Sequence, residues 1–133
     1  MRNVFVAGLV AILVTACSSS HSAQTPTGLS PVSSSGDFTT SLSFDPTPPR
    51  QGSETIIVTV KDSAGKPVGG AVVKSDTRMP DMGMAGPALT FQDNSDGTYS
   101  ALANLNYQTN WVFDVTVSRG ASASKAEFKA DVR

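Results

Sequence analysis

The stretch "ASKAEFKADV", residues 123–132, alternates small or apolar side chains with charged ones at a period of two. One face of this segment carries the apolar side chains Ala126, Phe128, Ala130 and Val132. Such alternation is typical of a β-strand that buries one face and exposes the other to water. The segment therefore predicts a half-buried strand at the end of the chain.

The same period recurs towards the N-terminus, where turn-rich stretches such as "DPTPPRQGS" (45–53) and "DSAGKPVGG" (62–70) separate the apolar segments. Pro and Gly clusters of this kind end strands and form turns. The predicted strands cover residues 38–44, 54–61, 71–78, 87–91, 98–105, 111–119 and 123–132. About seven short strands predict an all-β fold, an antiparallel β-sandwich of immunoglobulin-like type. A small closed β-barrel is the alternative that the same pattern allows.

The N-terminus has a different composition. The apolar run "VFVAGLVAILV" (4–14) suits the central part of a secretion signal and is shorter than the roughly 20 residues that span a bilayer. The overlapping "VTAC" (14–17) resembles the lipobox of bacterial lipoproteins, in which the cysteine is lipidated and becomes the mature N-terminus. The sequence thus predicts a signal peptide over residues 1–16 and a lipidated Cys17. We expect a periplasm-facing protein anchored to a bacterial membrane, the outer rather than the inner one because Ser18 follows the cysteine.

A second boundary follows the cysteine. Residues 18–36, "SSSHSAQTPTGLSPVSSSG", contain no charged side chain and little apolar surface. Such a composition predicts a disordered tether over residues 17–36, and it leaves residues 37–133 as a single folded domain. The formal net charge of −1 offers no basic surface for nucleic acid.

The predicted folded domain contains neither histidine nor cysteine, two side chains that enzymes often use in catalysis. The only histidine, His21, lies in the predicted tether, and the only cysteine, Cys17, is the predicted lipid attachment site. The folded domain therefore has no imidazole to activate a serine and no thiol nucleophile. We predict no catalytic residue, no organic cofactor site and no small-molecule substrate, and we expect the protein not to be an enzyme.

Three methionines stand close together in "TRMPDMGMAG", residues 77–86. The thioethers of Met79, Met82 and Met84 are soft, neutral ligands that prefer Cu(I) and bind it without losing a proton. Extended backbone would direct Met82 and Met84 to one face, with Met79 close enough to be a third ligand. Their neighbours are typical of a surface loop rather than of the core, so we expect the site on a loop or strand end at the rim of the sandwich. The alternative is that the methionines fill gaps in the core or form an apolar docking patch for another protein.

Four motifs together resemble the YtkA-like (FixH-like) family of bacterial envelope proteins. Residues 58–120 contain a D-x-x-G-x-P-V turn (62–68), the M-P-x-M-x-M segment (79–84), a G-x-Y-x-A strand (97–101) and a strand led by Trp111. The resemblance implies an immunoglobulin-like sandwich of the kind found in lipoproteins, in heavy-metal efflux components and beside cytochrome oxidase assembly factors. The chain lacks the histidine that follows the methionine segment in some relatives.

Copper handling is the function that the resemblance implies. It makes Met79, Met82 and Met84 the family's methionine positions, and Tyr99 and Trp111 its framework aromatics. We therefore expect an envelope lipoprotein that binds a soft metal, Cu(I), for copper handling or transfer, with an efflux or oxidase-assembly component as its partner. The competing expectation is an immunoglobulin-like interaction module that binds no metal, since "KDSAGKPVGGA" (61–71) and "DNSDGTYSA" (93–101) also resemble adhesin and filamin-type repeats.

Overall fold

The computed structural model describes residues 28–133, which form ten strands in two antiparallel sheets. In chain order the strands are β1 (Ser33–Gly36), β2 (Thr39–Asp45), β3 (Gly52–Lys61), β4 (Val72–Met79), β5 (Met84–Ala85), β6 (Leu89–Thr90), β7 (Gln92–Asp93), β8 (Thr98–Leu105), β9 (Asn110–Arg119) and β10 (Ser122–Asp131). One sheet has the order β1-β10-β9-β4-β5, with β6 also paired to β4, and the other has the order β2-β3-β8-β7. Two separate sheets confirm the immunoglobulin-like sandwich over the closed barrel.

Within the described residues, the longest ladder pairs β9 with β10. Its register runs from Ser122 opposite Arg119 to Asp131 opposite Asn110. The apolar face predicted for residues 123–132 is buried throughout, and so is the matching face of β9. Burying one face of each strand fixes the register, because a slip by one residue would turn the apolar side chains to water.

Aromatic side chains fill the space between the sheets. The rings of Phe44 in β2 and Phe113 in β9 meet edge to face at 5.7 Å, and Trp111 stacks on Phe113 at 6.3 Å. Tyr99 in β8 is fully buried, and its hydroxyl donates a hydrogen bond to the Val68 carbonyl oxygen at 2.7 Å. Tyr99 thereby fixes the connection between β3 and β4, while the three other rings join the two sheets at the end of the sandwich where β9 begins.

The N-terminal boundary of the fold differs from the predicted one. Residues 33–36, assigned to the tether, form β1 and pair with Glu127 to Ser124 of β10. Before β1, Leu29 exchanges backbone hydrogen bonds with Leu42 of β2. The prediction from composition missed this strand, because the hydrogen bonds of a ladder are made by backbone groups, which polar residues such as Ser supply as well as apolar ones.

The remaining N-terminal predictions concern residues that the structure does not describe. The signal peptide over residues 1–16, the lipidated Cys17 and most of the tether lie outside residues 28–133. Within the described part of the chain, no helix is both long enough and apolar enough to cross a membrane.

Candidate functional site

The three methionines lie on a β-hairpin formed by β4, a tight turn and β5, and we call residues 79–85 the methionine hairpin. Pro80 to Met82 form a single 3₁₀ turn, closed by a hydrogen bond from the Gly83 N–H to the Pro80 carbonyl oxygen at 3.1 Å. Gly83 has a φ of 63°, a left-handed conformation that glycine adopts at little cost. The sequence Pro-Asp-Met-Gly thus reverses the chain and sets Met84 opposite Met79.

Met79 is the last residue of β4, and its side chain is only 2% exposed. The surface-loop environment predicted for it is wrong, because β4 buries every second residue and Met79 continues the series from Val73 through Ser75 and Thr77. Pro80 and Asp81, which suggested a surface loop, begin only after the strand has ended. The period of β4 was the signal that would have placed Met79 in the core.

Met84 lies directly opposite Met79 across the hairpin. Side chains opposite one another in an antiparallel pair lie on the same face, with Cβ atoms roughly 5 Å apart. Met84 is nevertheless 42% exposed, because β5 is the outermost element of its sheet at this end. A buried thioether and an accessible one therefore stand side by side at the rim of the sandwich.

Met82 occupies the turn and is 43% exposed. The expectation that Met82 and Met84 extend from one continuous strand is wrong, since Met82 ends the 3₁₀ turn and the left-handed Gly83 separates it from Met84 in β5. The structure thus places all three methionines on one short hairpin. It pairs Met79 with Met84 and places Met82 in the turn that links them.

Hydrogen bonds hold the methionine hairpin against β9 and against the segment that follows β5. The side-chain amide of Asn110, the first residue of β9, donates to the Asp81 carboxylate at 2.8 Å. At the base of the hairpin, Thr77 donates its hydroxyl proton to the Pro87 carbonyl oxygen at 2.6 Å, and the Gly86 N–H donates to the Thr77 carbonyl oxygen at 2.9 Å. The turn and both strands of the hairpin are therefore fixed to the sandwich.

Trp111 lies beneath this end of the structure and is 1% exposed. Its indole N–H donates to the Tyr107 carbonyl oxygen at 3.0 Å, and its ring packs so close to Gly86 that a Cβ there would come within 2.8 Å of it. These contacts make Trp111 a framework residue of the core, as the family resemblance implied. Tyr107 itself is 40% exposed in the loop before β9.

The Arg78 side chain, which precedes Met79 in β4, lies on the opposite face of that strand. Arg78 donates from Nε to Asp114 at 3.1 Å and from Nη2 to Glu127 at 2.7 Å. The hydrogen bond to Asp114, reinforced by the charges of both carboxylates, raises the pKa of the Arg78 guanidinium above its ordinary value. Because successive residues of a strand face opposite sides, this cation points away from the face that carries Met79. The thioethers on that face have no cation directed at them from β4.

Other features of the surface lie away from the methionines. Within residues 28–133, no group of three or more His, Cys, Asp or Glu side chains is arranged to hold a metal ion. A polar depression of about 390 Å³ follows the outer face of β1, β9 and β10, and a second of about 260 Å³ lies beside the Pro48–Pro49 loop. Neither depression is lined by Met79, Met82 or Met84.

Comparison with known proteins identifies the family. No curated protein matches the chain. The crystal structure of the PmoD soluble domain from Methylocystis sp. ATCC 49242 (Rockwell) is similar at a TM-score of 0.48 and 17% sequence identity, over 73% of this chain and 92% of that chain. The model of the YtkA-like family matches residues 33–116, which include β1, the methionine hairpin and β9 as far as Thr116, and the chain therefore belongs to the YtkA-like family.

Proposed function

We propose that the methionine hairpin binds Cu(I) and passes it on within the bacterial envelope. The observation that carries this proposal is the cross-strand pairing of Met79 with Met84, with Met82 in the turn between them. Three sulfur atoms are thus attached to seven consecutive residues that a hydrogen-bonded turn holds in place. The role is one of binding rather than catalysis.

The donor chemistry fits a soft monovalent cation. Thioethers are neutral and polarizable, they select Cu(I) over harder ions, and they have no proton to lose on binding. Binding should therefore vary little with pH, unlike binding to thiolate or imidazole. Arg78 is engaged by Asp114 and Glu127 on the other face of β4, so it adds no repulsion at close range.

Exposure assigns different roles to the three ligands. Met82 and Met84 are the accessible donors that would capture the ion, and Met79 is the inner donor reached from Met84. Three neutral donors, two of them at the surface, suit a site that releases its ion readily to a partner. We propose that such a partner is an efflux or oxidase-assembly component, and that a lipid on Cys17 holds the protein at the membrane where the exchange takes place.

The test is an anaerobic Cu(I) titration against a competing chelator. All proteins carry Cys17→Ser, because a free thiolate would bind Cu(I) more tightly than any thioether. We expect one equivalent of Cu(I) to bind to this background protein, and the Met82→Leu and Met84→Leu variants to lose at least about tenfold in affinity, about 1.4 kcal/mol each. Leucine keeps the volume and apolar character of methionine and removes only the sulfur. Unchanged affinity in both variants would refute the proposed site.

A second candidate function, a docking surface without metal, is favoured by the burial of Met79. With Met79 in the core, two methionines of the hairpin, Met82 and Met84, still expose apolar surface, and exposed apolar surface is what a docking site uses. For this function the sulfur is irrelevant and apolar area decides binding. Met82→Leu should then retain an envelope partner in a pull-down, and Met82→Asp should lose it. Loss of the partner in both variants would contradict a purely apolar contact.

A further inference from the structure

The methionines differ in their access to solvent by a wide margin. Met82 and Met84 expose about two fifths of their surface, whereas Met79, five residues or fewer away, is enclosed by the core. Oxidants in water react with a methionine sulfur in proportion to its accessibility. We therefore expect oxidants to react quickly with Met82 and Met84 and slowly with Met79, although all three lie on one hairpin.

We propose that Met82 and Met84 form an oxidation site for two-electron oxidants of the peroxide class, while Met79 is protected by the fold. In the reaction the thioether sulfur attacks one oxygen of hydrogen peroxide, and the O–O bond breaks. The sulfur gains that oxygen and is oxidised by two electrons to the sulfoxide. The other oxygen leaves as water with both protons. Sulfoxide reductases reverse the modification, so it is a reversible mark.

Oxidation would have two physical effects on the hairpin. The sulfoxide replaces a soft sulfur donor by a polar S=O group, which Cu(I) binds poorly. At Met84 it also places a polar oxygen on the face shared with the buried Met79. Oxidation of Met82 and Met84 would therefore switch off metal binding, a consequence that rests on the proposed function, whereas the oxidation site itself rests on exposure alone.

The experiment exposes the full-length protein with Cys17→Ser, which removes a thiol that would itself react with peroxide and bind Cu(I), to hydrogen peroxide and follows each methionine by mass spectrometry. A protease that cleaves before aspartate separates Asp76–Pro80, which contains only Met79, from residues 81–92, which contain Met82 and Met84. The same time course in guanidinium chloride is the control, because unfolding equalises the access of all three sulfurs. A Met82→Leu, Met84→Leu double variant confirms that the oxygen on residues 81–92 is on these methionines.

We expect residues 81–92 to be oxidised at least about tenfold faster than residues 76–80 in the native protein, and at similar rates per methionine in denaturant. Equal rates in the native protein would overturn the oxidation site. Protein oxidised only at Met82 and Met84 should then bind Cu(I) at least about tenfold more weakly than untreated protein. Unchanged Cu(I) affinity after oxidation would overturn the switch. If untreated protein binds no Cu(I), the proposed function fails, and the two peptide rates still decide the oxidation site.

Discussion

Replacing Met79 by alanine should destabilise the fold far more than the same replacement at Met84. Met79 is 2% exposed, so its truncation loses the full transfer free energy of the side chain, about 1.5–3 kcal/mol. The cavity left in the core beside Trp111 raises the cost to about 2–5 kcal/mol. Met84 is 42% exposed and borders water, so its truncation leaves no closed cavity and should cost at most about 1 kcal/mol.

The assay is equilibrium unfolding in urea, followed by the fluorescence of Trp111, the only tryptophan of the chain. With a urea dependence of about 2 kcal/mol/M, a loss of 3 kcal/mol would lower the unfolding midpoint by about 1.5 M. Met84→Ala is the matched control, since it removes the same atoms from the paired position of the same hairpin. Midpoints of Met79→Ala and Met84→Ala within about 0.3 M of each other would refute the placement of Met79 in the core.

Two further predictions concern the surroundings of the site and the pH dependence of the fold. Gly86→Ala should cost about 1–3 kcal/mol, because the added methyl would clash with the Thr77 hydroxyl oxygen and meet the Trp111 ring at 2.8 Å. Gly69→Ala, whose nearest new neighbour is 4.0 Å away, should cost much less, and equal urea midpoints for the two variants would contradict these contacts. The hydroxyl of Thr98, together with the backbone N–H of the same residue, donates hydrogen bonds to the Asp96 carboxylate and lowers the pKa of that carboxyl. Asp96 therefore stabilises the fold at pH values above its unfolded pKa, and this stabilisation is lost as the pH falls through the lower folded pKa. Thr98→Val should raise the pKa of Asp96 in an NMR titration of the carboxyl carbon, and an unchanged midpoint would show that the hydroxyl does not act on it.

The period of two was sufficient to predict most of the sandwich. It located the long strands to within about two residues, because each long strand buries one face against the opposite sheet and therefore has apolar residues at every second position of its sequence. It missed β1, whose residues 33–36 are all exposed and contribute only backbone hydrogen bonds to β10. A strand held by its backbone alone has no side-chain pattern to detect.

The candidate site was predictable in composition and only partly in geometry. Residue types alone indicate a soft-ligand cluster, and the Pro80 and Gly83 spacing is compatible with a turn between two strands. The direct opposition of Met79 and Met84 depends on the turn having four residues, and a turn of three or five would have shifted the pairing. The burial of Met79 was predictable from the alternation of β4, which places Met79 on the inward face of that strand.

The pairing of one buried and one exposed thioether bears on how the proposed site would release its ion. A site that used three exposed methionines would have to order three flexible side chains on binding, each at a conformational cost of about 1.5–2 kcal/mol. The core already orders the Met79 side chain, so its conformational entropy is lost on folding and not on binding. Only the side chains of Met82 and Met84 must become ordered when the ion binds. Loss of either exposed donor would leave Cu(I) with two ligands, one of them beneath the surface. A partner that competes for Met82 or Met84 could therefore remove the ion stepwise, without opening the sandwich.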